Sequence, residues 1–251
     1  MLPYSSGVTA PDFSRWAAGY AAARPGYPAQ LFAWIASLVE RRHVAWDCGT
    51  GSGQAALGLV EHFTRVIATD RAEGQVAHAR AHPRITYRVA PAEASGLDDA
   101  SVDAISIAQA LHWFDLDGFF GEARRVLRPG GVLAAYAYHL TRIAPEIDAI
   151  IERFYWDVVR PYFPQRTLHV DSFYRTIDFP GEPLPEAWFS GRVDWTLEQF
   201  LAFVDTWSGT RRYVEERGEN PAAQLHAELR ATWGDGARSV EFPLFVRATR
   251  L

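Results

Sequence analysis

Residues 47–53 of this chain (DCGTGSG) combine an acid with glycines at alternating positions. They follow the apolar residues 44–46 directly and precede helix-forming residues that begin at Gln54. Glycines let a backbone turn sharply and approach a ligand closely, and the first turn of a helix presents unpaired N–H groups. The segment therefore predicts a loop that binds a nucleotide or a carboxylate.

A second acid, Asp70, ends the next apolar run of the chain. An acid in that position after a glycine-rich loop can accept hydrogen bonds from both hydroxyls of an adenosine ribose. Taken alone, such an acid more often caps a helix, but its place after the loop favours the ribose. Gln54 stands where the dinucleotide fingerprint requires a third glycine, so a nucleotide-dependent oxidoreductase is a disfavoured alternative.

Alternating strands and helices must position these residues. The apolar pattern predicts strands at 44–46, 66–70, 85–89, 102–108 and 132–138, and helices at 29–40, 54–62, 73–81 and 117–127. Strands that alternate with helices are typical of a parallel sheet. Residues 106–114 leave the fourth strand at its carboxyl end, where open α/β sheets bind their ligands, so Gln109 and His112 are candidate site residues.

The chain changes character after His139. Residues 143–160 are predicted to be helical, and five prolines then interrupt an aromatic-rich segment that we interpret as a cap. A sixth strand is predicted at 188–195 and a seventh at 240–249. Thr196 and Gln199 form a capping box, and Asn220-Pro221 opens a helix that stops at Gly234.

Several motifs together resemble a known family. Residues 47–53 resemble the first motif of the class I S-adenosylmethionine-dependent methyltransferases. Residues 106–114 (SIAQALHWF) and 124–131 (RRVLRPGG) are similar to the type 11 branch of that family. His112-Trp113 and the N-terminal Tyr20, Arg24-Pro25 and Tyr27-Pro28 are similar to the trans-aconitate methyltransferase-like subgroup, as are residues 206–208. The resemblance is good over residues 13–139 and poor beyond them.

This resemblance implies an α/β fold with a Rossmann-like, seven-stranded, mostly parallel sheet. Its last strand is antiparallel, helices cover both faces, and a cap is inserted after the fifth strand. The corresponding division is an N-terminal helical extension at 1–43, the cofactor-binding core at 44–139, the cap at 140–187 and the C-terminal part of the sheet at 188–251.

The cofactor implied by the resemblance is S-adenosylmethionine. Asp47 would hold the methionine amino group, Arg24 would lie near its carboxylate, and Glu93 would reach the adenine amino group. The predicted cofactor-binding residues are Arg24, Asp47, Gly49, Thr50, Gly51, Gly53, Asp70, Arg71, Ala92, Glu93 and Gln109.

Methyl transfer from a sulfonium is an in-line displacement on an activated carbon, so alignment is the main task and no covalent residue is required. A hydroxyl acceptor needs a general base, whereas a carboxylate needs none. His112 is the predicted base or acceptor-orienting group, with a purely structural histidine as the alternative. Cys48 is interpreted as a small buried filler rather than a nucleophile.

The acceptor is predicted to be a small molecule that receives the methyl group on oxygen, with carboxylate oxygen preferred to hydroxyl. Some cap aromatics would line its pocket while most belong to the core. The candidates are Tyr155, Trp156, Tyr162, Phe163, Phe173, Tyr174 and Trp207. Arg153, Arg160, Arg211 and Arg212 are candidate carboxylate clamps.

The composition disfavours several classes of protein, including nucleic-acid-binding and membrane-spanning proteins. A net charge of -5 lacks the dense basic face of a nucleic-acid-binding protein, and no apolar run is long enough to span a membrane. A single cysteine excludes an intrachain disulfide, and no Cys/His spacing indicates a metal site. A cytoplasmic location is expected, and the oligomeric state stays open. A non-catalytic protein that binds the cofactor as a regulatory or partner module is the remaining alternative.

Overall fold

The structure is a computed structural model that describes residues 26–251. Nine α-helices and eight strands occur in that range. The strands are β1 (Val44–Cys48), β2 (Arg65–Asp70), β3 (Ile85–Val89), β4 (Val102–Ala108), β5 (Leu127–Tyr138), β6 (Glu182–Pro183), β7 (Ala187–Trp195) and β8 (Arg238–Arg250). The helices are α1 (Ala29–Ser37), α2 (Gln54–Leu59), α3 (Glu73–Ala77), α4 (Leu116–Val126), α5 (Pro145–Arg153), α6 (Leu168–Asp171), α7 (Leu197–Asp205), α8 (Ser208–Arg217) and α9 (Ala222–Trp233).

All eight strands belong to one sheet. Its first five strands are parallel in the order β3-β2-β1-β4-β5, and β8 then runs antiparallel to β5. The other edge of β8 pairs with β7 through residues 238–246 and with β6 through Thr249 and Arg250. The predicted mostly parallel α/β sheet is confirmed, with one strand more than the seven expected. The two-residue β6 covers the part of the β8 edge that β7 leaves uncovered.

Helices cover both faces of the sheet. On one face, the apolar positions of α1 and α2 pack against buried residues of β1, β2 and β5, including Ala45, Val66 and Tyr136. On the other face, α4 packs its residues Phe119 and Ala123 against β1 and β4. The spacing of the apolar residues in α4 puts them on one side of the helix, which explains why that side faces the sheet.

The segment between β5 and β7 is less regular than the helix predicted at 143–160. It begins with α5, continues as a π-helix over Phe154–Val159 and then tightens to a 3-10 turn at Arg160–Tyr162. Pro161 cannot donate a backbone hydrogen bond, so regular α-helix does not continue through it. Helix α5 packs against α9, and β8 holds the later part of the segment because Arg247 donates hydrogen bonds to the carbonyls of Tyr174 and Ile177.

The predicted helix boundaries after β7 agree with the structure. Thr196 and Gln199 form the expected capping box at the start of α7, and α9 stops before Gly234. Within residues 26–251, no helix combines the length and apolarity needed to cross a bilayer.

Candidate active site

The glycine-rich loop after β1 has the backbone conformation that glycine permits most readily. Gly49, Gly51 and Gly53 all have positive φ angles, of 72°, 55° and 86°. A Cβ atom at Gly49 would lie 2.7 Å from the Cβ of Ala110, and one at Gly53 would overlap the ring of Tyr87. The loop is thus packed tightly against its neighbours, and its last glycine leads directly into α2.

Asp47 lies at the end of β1 and is fully buried. Its Oδ2 accepts a hydrogen bond from the Thr50 hydroxyl at 2.5 Å, while Oδ1 has no hydrogen-bond partner among the described residues. Burial raises the pKa of this carboxyl to about 7, against the lowering effect of the Thr50 hydrogen bond. An unpartnered buried carboxylate oxygen is costly, and a ligand ammonium group is a partner that would offset the cost.

Asp70 joins the loop to the end of β2. Its Oδ2 accepts from the Gly51 amide at 2.8 Å, and its Oδ1 accepts from the Ala72 amide at 2.9 Å. The amides of Gly49 and Thr50 also donate to the Thr69 carbonyl beside it, both at 2.9 Å. Burial raises the pKa of Asp70. Each carboxylate oxygen retains a further lone pair, so the group can still accept hydrogen bonds from a diol.

The remaining predicted cofactor-side residues lie around the carboxyl ends of the strands. Ala92 is buried, and Glu93 accepts a hydrogen bond from the Asp115 amide just before α4. Arg71 is exposed next to Asp70. Gln109 has a positive φ of 56° and donates to the Tyr138 carbonyl at 3.3 Å. Arg24 lies outside the described residues.

Cys48 is fully buried within β1. Burial raises the pKa of its thiol well above the ordinary value, so the sulfur stays protonated and unreactive near neutral pH. This agrees with the interpretation of Cys48 as a filler.

A pocket opens beside Gln109, between the ends of β4 and β5 and the cap. Six Phe, Trp or Tyr residues lie in its wall, and they include three of the seven aromatics proposed as candidate lining residues: Tyr155, Phe163 and Trp207. Residues 206–208 also lie in the wall. The structure therefore brings the segment after β4, the cap and the region following α7 around one cavity.

His112 forms part of this wall and is buried. Its Nδ1 lies 3.0 Å from the hydroxyl of Tyr174, and its ring packs against Trp113 with centroids 4.8 Å apart. The predicted candidate base thus faces the same cavity as Gln109, held from behind by a buried tyrosine.

A second histidine, His139, also lies in the wall, and the sequence analysis predicts no role for it. Its Nε2 lies 2.9 Å from Oδ1 of Asp171, which also accepts from the Tyr155 hydroxyl at 2.7 Å. Arg160 donates to Oδ2 of Asp171 at 2.6 Å. Burial opposes ionisation of Asp171, but the hydrogen bonds from His139 and Tyr155 outweigh it and lower its pKa. The sequence signal that could have found His139 is its place directly after a predicted buried strand.

The candidate carboxylate clamps lie elsewhere. Arg153, Arg160 and Arg212 each pair with an acid of the chain itself, namely Glu228, Asp171 and Glu216. Arg211 is partly buried on α8. Among the described residues that line the pocket, none is an arginine. The described part of the chain also contains no cluster of side chains suited to hold a metal ion.

Known proteins are similar to this chain in sequence and fold. The type 11 methyltransferase domain model matches residues 46–135. A Dictyostelium discoideum protein provisionally described as a methyltransferase is 30% identical over 89% of this chain and 88% of its own length. The chain belongs to the class I S-adenosylmethionine-dependent methyltransferases.

Two further relatives agree with this family assignment. A Saccharomyces cerevisiae protein described as a probable S-adenosylmethionine-dependent methyltransferase is 27% identical, with 81% of this chain and 82% of the relative covered. A solved structure provisionally described as a type II methyltransferase from Anaeromyxobacter dehalogenans is 45% identical. It superposes with a TM-score of 0.84 over 90% of this methyltransferase and 97% of its own chain. S-adenosylmethionine is the cofactor.

Proposed function

We propose that this methyltransferase transfers a methyl group to an oxygen atom of a small molecule that binds in the pocket beside Gln109. The observation that carries the proposal is the position of this pocket at the carboxyl ends of β4 and β5. Ala110, which follows the lining residue Gln109, packs against Gly49 of the glycine-rich loop. No covalent residue takes part, and the chain acts by holding acceptor and cofactor in line.

The cofactor contacts follow from the geometry of the loop. Asp47 would accept a hydrogen bond from the methionine amino group through its unpartnered Oδ1. Asp70 would accept hydrogen bonds from the ribose hydroxyls, while Gly49, Thr50, Gly51 and Gly53 would let the backbone approach the cofactor. Ala92, Glu93 and Arg71 would border the adenine, and Arg24 would lie near the carboxylate.

The acceptor side is formed by His112 and the aromatic wall. The bound cofactor supplies an electrophilic methyl group on sulfur, and the wall excludes water from the reacting atoms. His112, held by Tyr174, would orient the acceptor oxygen or take its proton. Both a carboxylate and a hydroxyl remain candidate acceptors. The absence of arginine from the described pocket wall supports the hydroxyl.

Other sequence predictions belong to this proposal. They are the cytoplasmic location, the absence of a nucleic acid partner, the similarity to the trans-aconitate methyltransferase-like subgroup and the division of the chain at residues 43, 139 and 187. The net charge of -5 supports a small-molecule acceptor over a nucleic acid.

Two measurements test the proposed function. Calorimetry with S-adenosylhomocysteine should show one binding site in the folded protein. Incubation of the protein and radiolabelled S-adenosylmethionine with a cell extract should give a labelled small molecule. Binding without any labelled product would indicate the non-catalytic binding module instead, and labelled macromolecules alone would contradict a small-molecule acceptor.

A further inference from the structure

His139 and Asp171 form a second polar pair in the wall of the acceptor pocket, apart from His112. His139 directly follows β5, and Asp171 ends α6 in the cap. The two side chains are 17% and 9% exposed, so the pair is largely shielded from solvent yet borders the cavity. The distance between Nε2 of His139 and Oδ1 of Asp171 is 2.9 Å, so this hydrogen bond fixes the orientation of the histidine ring.

The partners of Asp171 determine which ring nitrogen of His139 carries the proton. Asp171 accepts hydrogen bonds from Tyr155 and Arg160 as well as from His139, and its pKa is lowered, so the group is a carboxylate. A carboxylate can only accept, and the neutral imidazole must therefore donate its Nε2–H. The other nitrogen, Nδ1, then carries a lone pair, and it has no hydrogen-bond partner within residues 26–251.

The surrounding wall indicates what kind of acceptor this histidine would meet. Trp113, Tyr138, Phe163, Phe203 and Trp207 provide aromatic surface, and the described wall includes no arginine that would bind a carboxylate. A planar apolar ring fits such a wall, and a hydroxyl on that ring would need a base before it could attack.

We infer that His139, and not His112, is the general base of the reaction, so that His112 orients the acceptor oxygen. We infer also that the acceptor is a phenol, that is, a hydroxyl group on an aromatic ring. This inference rests on the proposed methyl transfer to oxygen. The phenolic proton passes to Nδ1 of His139 while the oxygen forms its bond to the methyl carbon. The bond between that carbon and sulfur breaks, its electron pair stays on sulfur, and the sulfonium becomes a neutral thioether.

Asp171 is a positioning residue in this step. It keeps His139 in the tautomer whose Nδ1 can accept a proton, and it faces the imidazolium that forms. Tyr155 donates a hydrogen bond to Oδ1, the same oxygen that contacts His139, and Arg160 donates one to Oδ2, so both help to hold the carboxylate in place.

The test uses phenols of different acidity with the full-length protein and S-adenosylmethionine. The assay pH is chosen so that 4-nitrophenol is ionised and 4-ethylphenol is not. Wild type should methylate both. His139→Gln should reduce kcat for 4-ethylphenol by about 100-fold or more, in the range attributed to a general base, and should change kcat for 4-nitrophenol little. Asp171→Asn should show the same pattern with a smaller loss.

His169→Gln is the matched control, because His169 lies on the same short helix as Asp171. Within residues 26–251, the side-chain hydrogen bond of His169 joins its Nδ1 to the hydroxyl of Thr176. This variant should leave both rates unchanged. Melting temperature and S-adenosylhomocysteine affinity, measured for every variant, should equal those of wild type and thereby show intact folding.

Three results would overturn the inference. An equal loss of rate for both phenols would mean that His139 only positions the acceptor, and unchanged rates would exclude any role. Failure of wild type to methylate either phenol would overturn the acceptor class. In that case, S-adenosylhomocysteine binding and a labelled small molecule from an extract would still leave the proposed function standing.

Discussion

At the scale of single residues, Asp70 has two roles that can be separated by mutation. In the structure it accepts hydrogen bonds from the amides of Gly51 and Ala72, and in the proposed site it also binds the ribose. The carboxylate is partly exposed, so water can satisfy the two amides when it is removed. Removal of this carboxylate should therefore reduce the affinity for the cofactor more than it reduces the stability of the fold.

For Asp70→Ala we expect a loss of S-adenosylhomocysteine affinity of at least about tenfold, since a hydrogen bond to a charged group contributes about 1.5–3 kcal/mol. The melting temperature should fall by only a few degrees. Calorimetry and thermal unfolding measure the two effects. Asp98→Ala, which removes an exposed acid, should change neither quantity. Unchanged affinity in Asp70→Ala would remove the ribose assignment.

Asp47 should make the stability of the ligand-free protein depend on pH. Its pKa is raised from 3.8 to about 7 by burial, so between these pH values the unfolded state releases the proton and the folded state retains it. The unfolded state binds fewer protons there, and stability attributable to Asp47 falls as pH rises from about 4 to about 7, then levels off.

The variant Asp47→Asn cannot titrate at this position. Relative to Asp47→Asn, wild type should lose free energy of unfolding as the pH rises from 5 to 8, measured by urea denaturation without ligand. The variant should also bind S-adenosylhomocysteine more weakly. A difference between the two proteins that is constant over this pH range would contradict the raised pKa.

At the scale of elements, the turn from β1 into α2 depends on Gly53. The residue has a positive φ, and a Cβ there would overlap Tyr87, which itself donates to the Arg80 carbonyl. Gly218, after α8, has a comparable φ of 75° but open space around its Cβ position. Comparing the same substitution at Gly53 and at Gly218 therefore separates the cost of backbone strain from the cost of a steric clash.

Both Gly53→Ala and Gly218→Ala should lose about 1–2 kcal/mol from the left-handed conformation of an L-residue. Only Gly53→Ala should lose additional stability and also cofactor affinity, because Tyr87 must move and the loop with it. Urea denaturation and calorimetry give the two quantities. Equal destabilisation of the two variants would show that the clash is relieved without cost.

At the scale of the whole molecule, the cap is attached to the sheet partly through Arg247 of β8. Arg247 donates to the carbonyls of Tyr174 and Ile177, and its guanidinium lies 4.8 Å from the ring centre of Phe179. The glycine-rich loop lies at the end of β1 and shares none of these contacts. Acceptor binding and cofactor binding should therefore respond differently when this attachment is weakened.

In Arg247→Met, amide hydrogen exchange should become faster over residues 168–179, and turnover should decrease. The affinity for S-adenosylhomocysteine should stay within about twofold of the wild-type value, because contacts in separate parts of a structure contribute independently. Arg192→Met is the control, because Arg192 lies on the neighbouring β7 and makes an exposed ion pair with Glu241. Faster exchange around the glycine-rich loop in Arg247→Met would contradict this separation of the two parts.

The sequence alone determined the order of strands and helices in the core and the position of the glycine-rich loop. Apolar periodicity, glycines before a helix and an acid at a strand end are local patterns, so they can be read without knowing which segments meet. The capping box at Thr196 and Gln199 was predicted for the same reason. In the cap, where prolines and aromatics leave no regular period, the π-helix at Phe154–Val159 could not be predicted.

Only the tertiary structure decided which distant residues share the pocket. His139 and Asp171 are 32 positions apart, and neither residue type nor spacing indicates that they meet. The same holds for β6, whose two residues become a strand only because β8 has an unpaired edge beside them. Such contacts depend on how the cap folds back over the sheet, and that path is set by the summed packing of many side chains rather than by any local pattern.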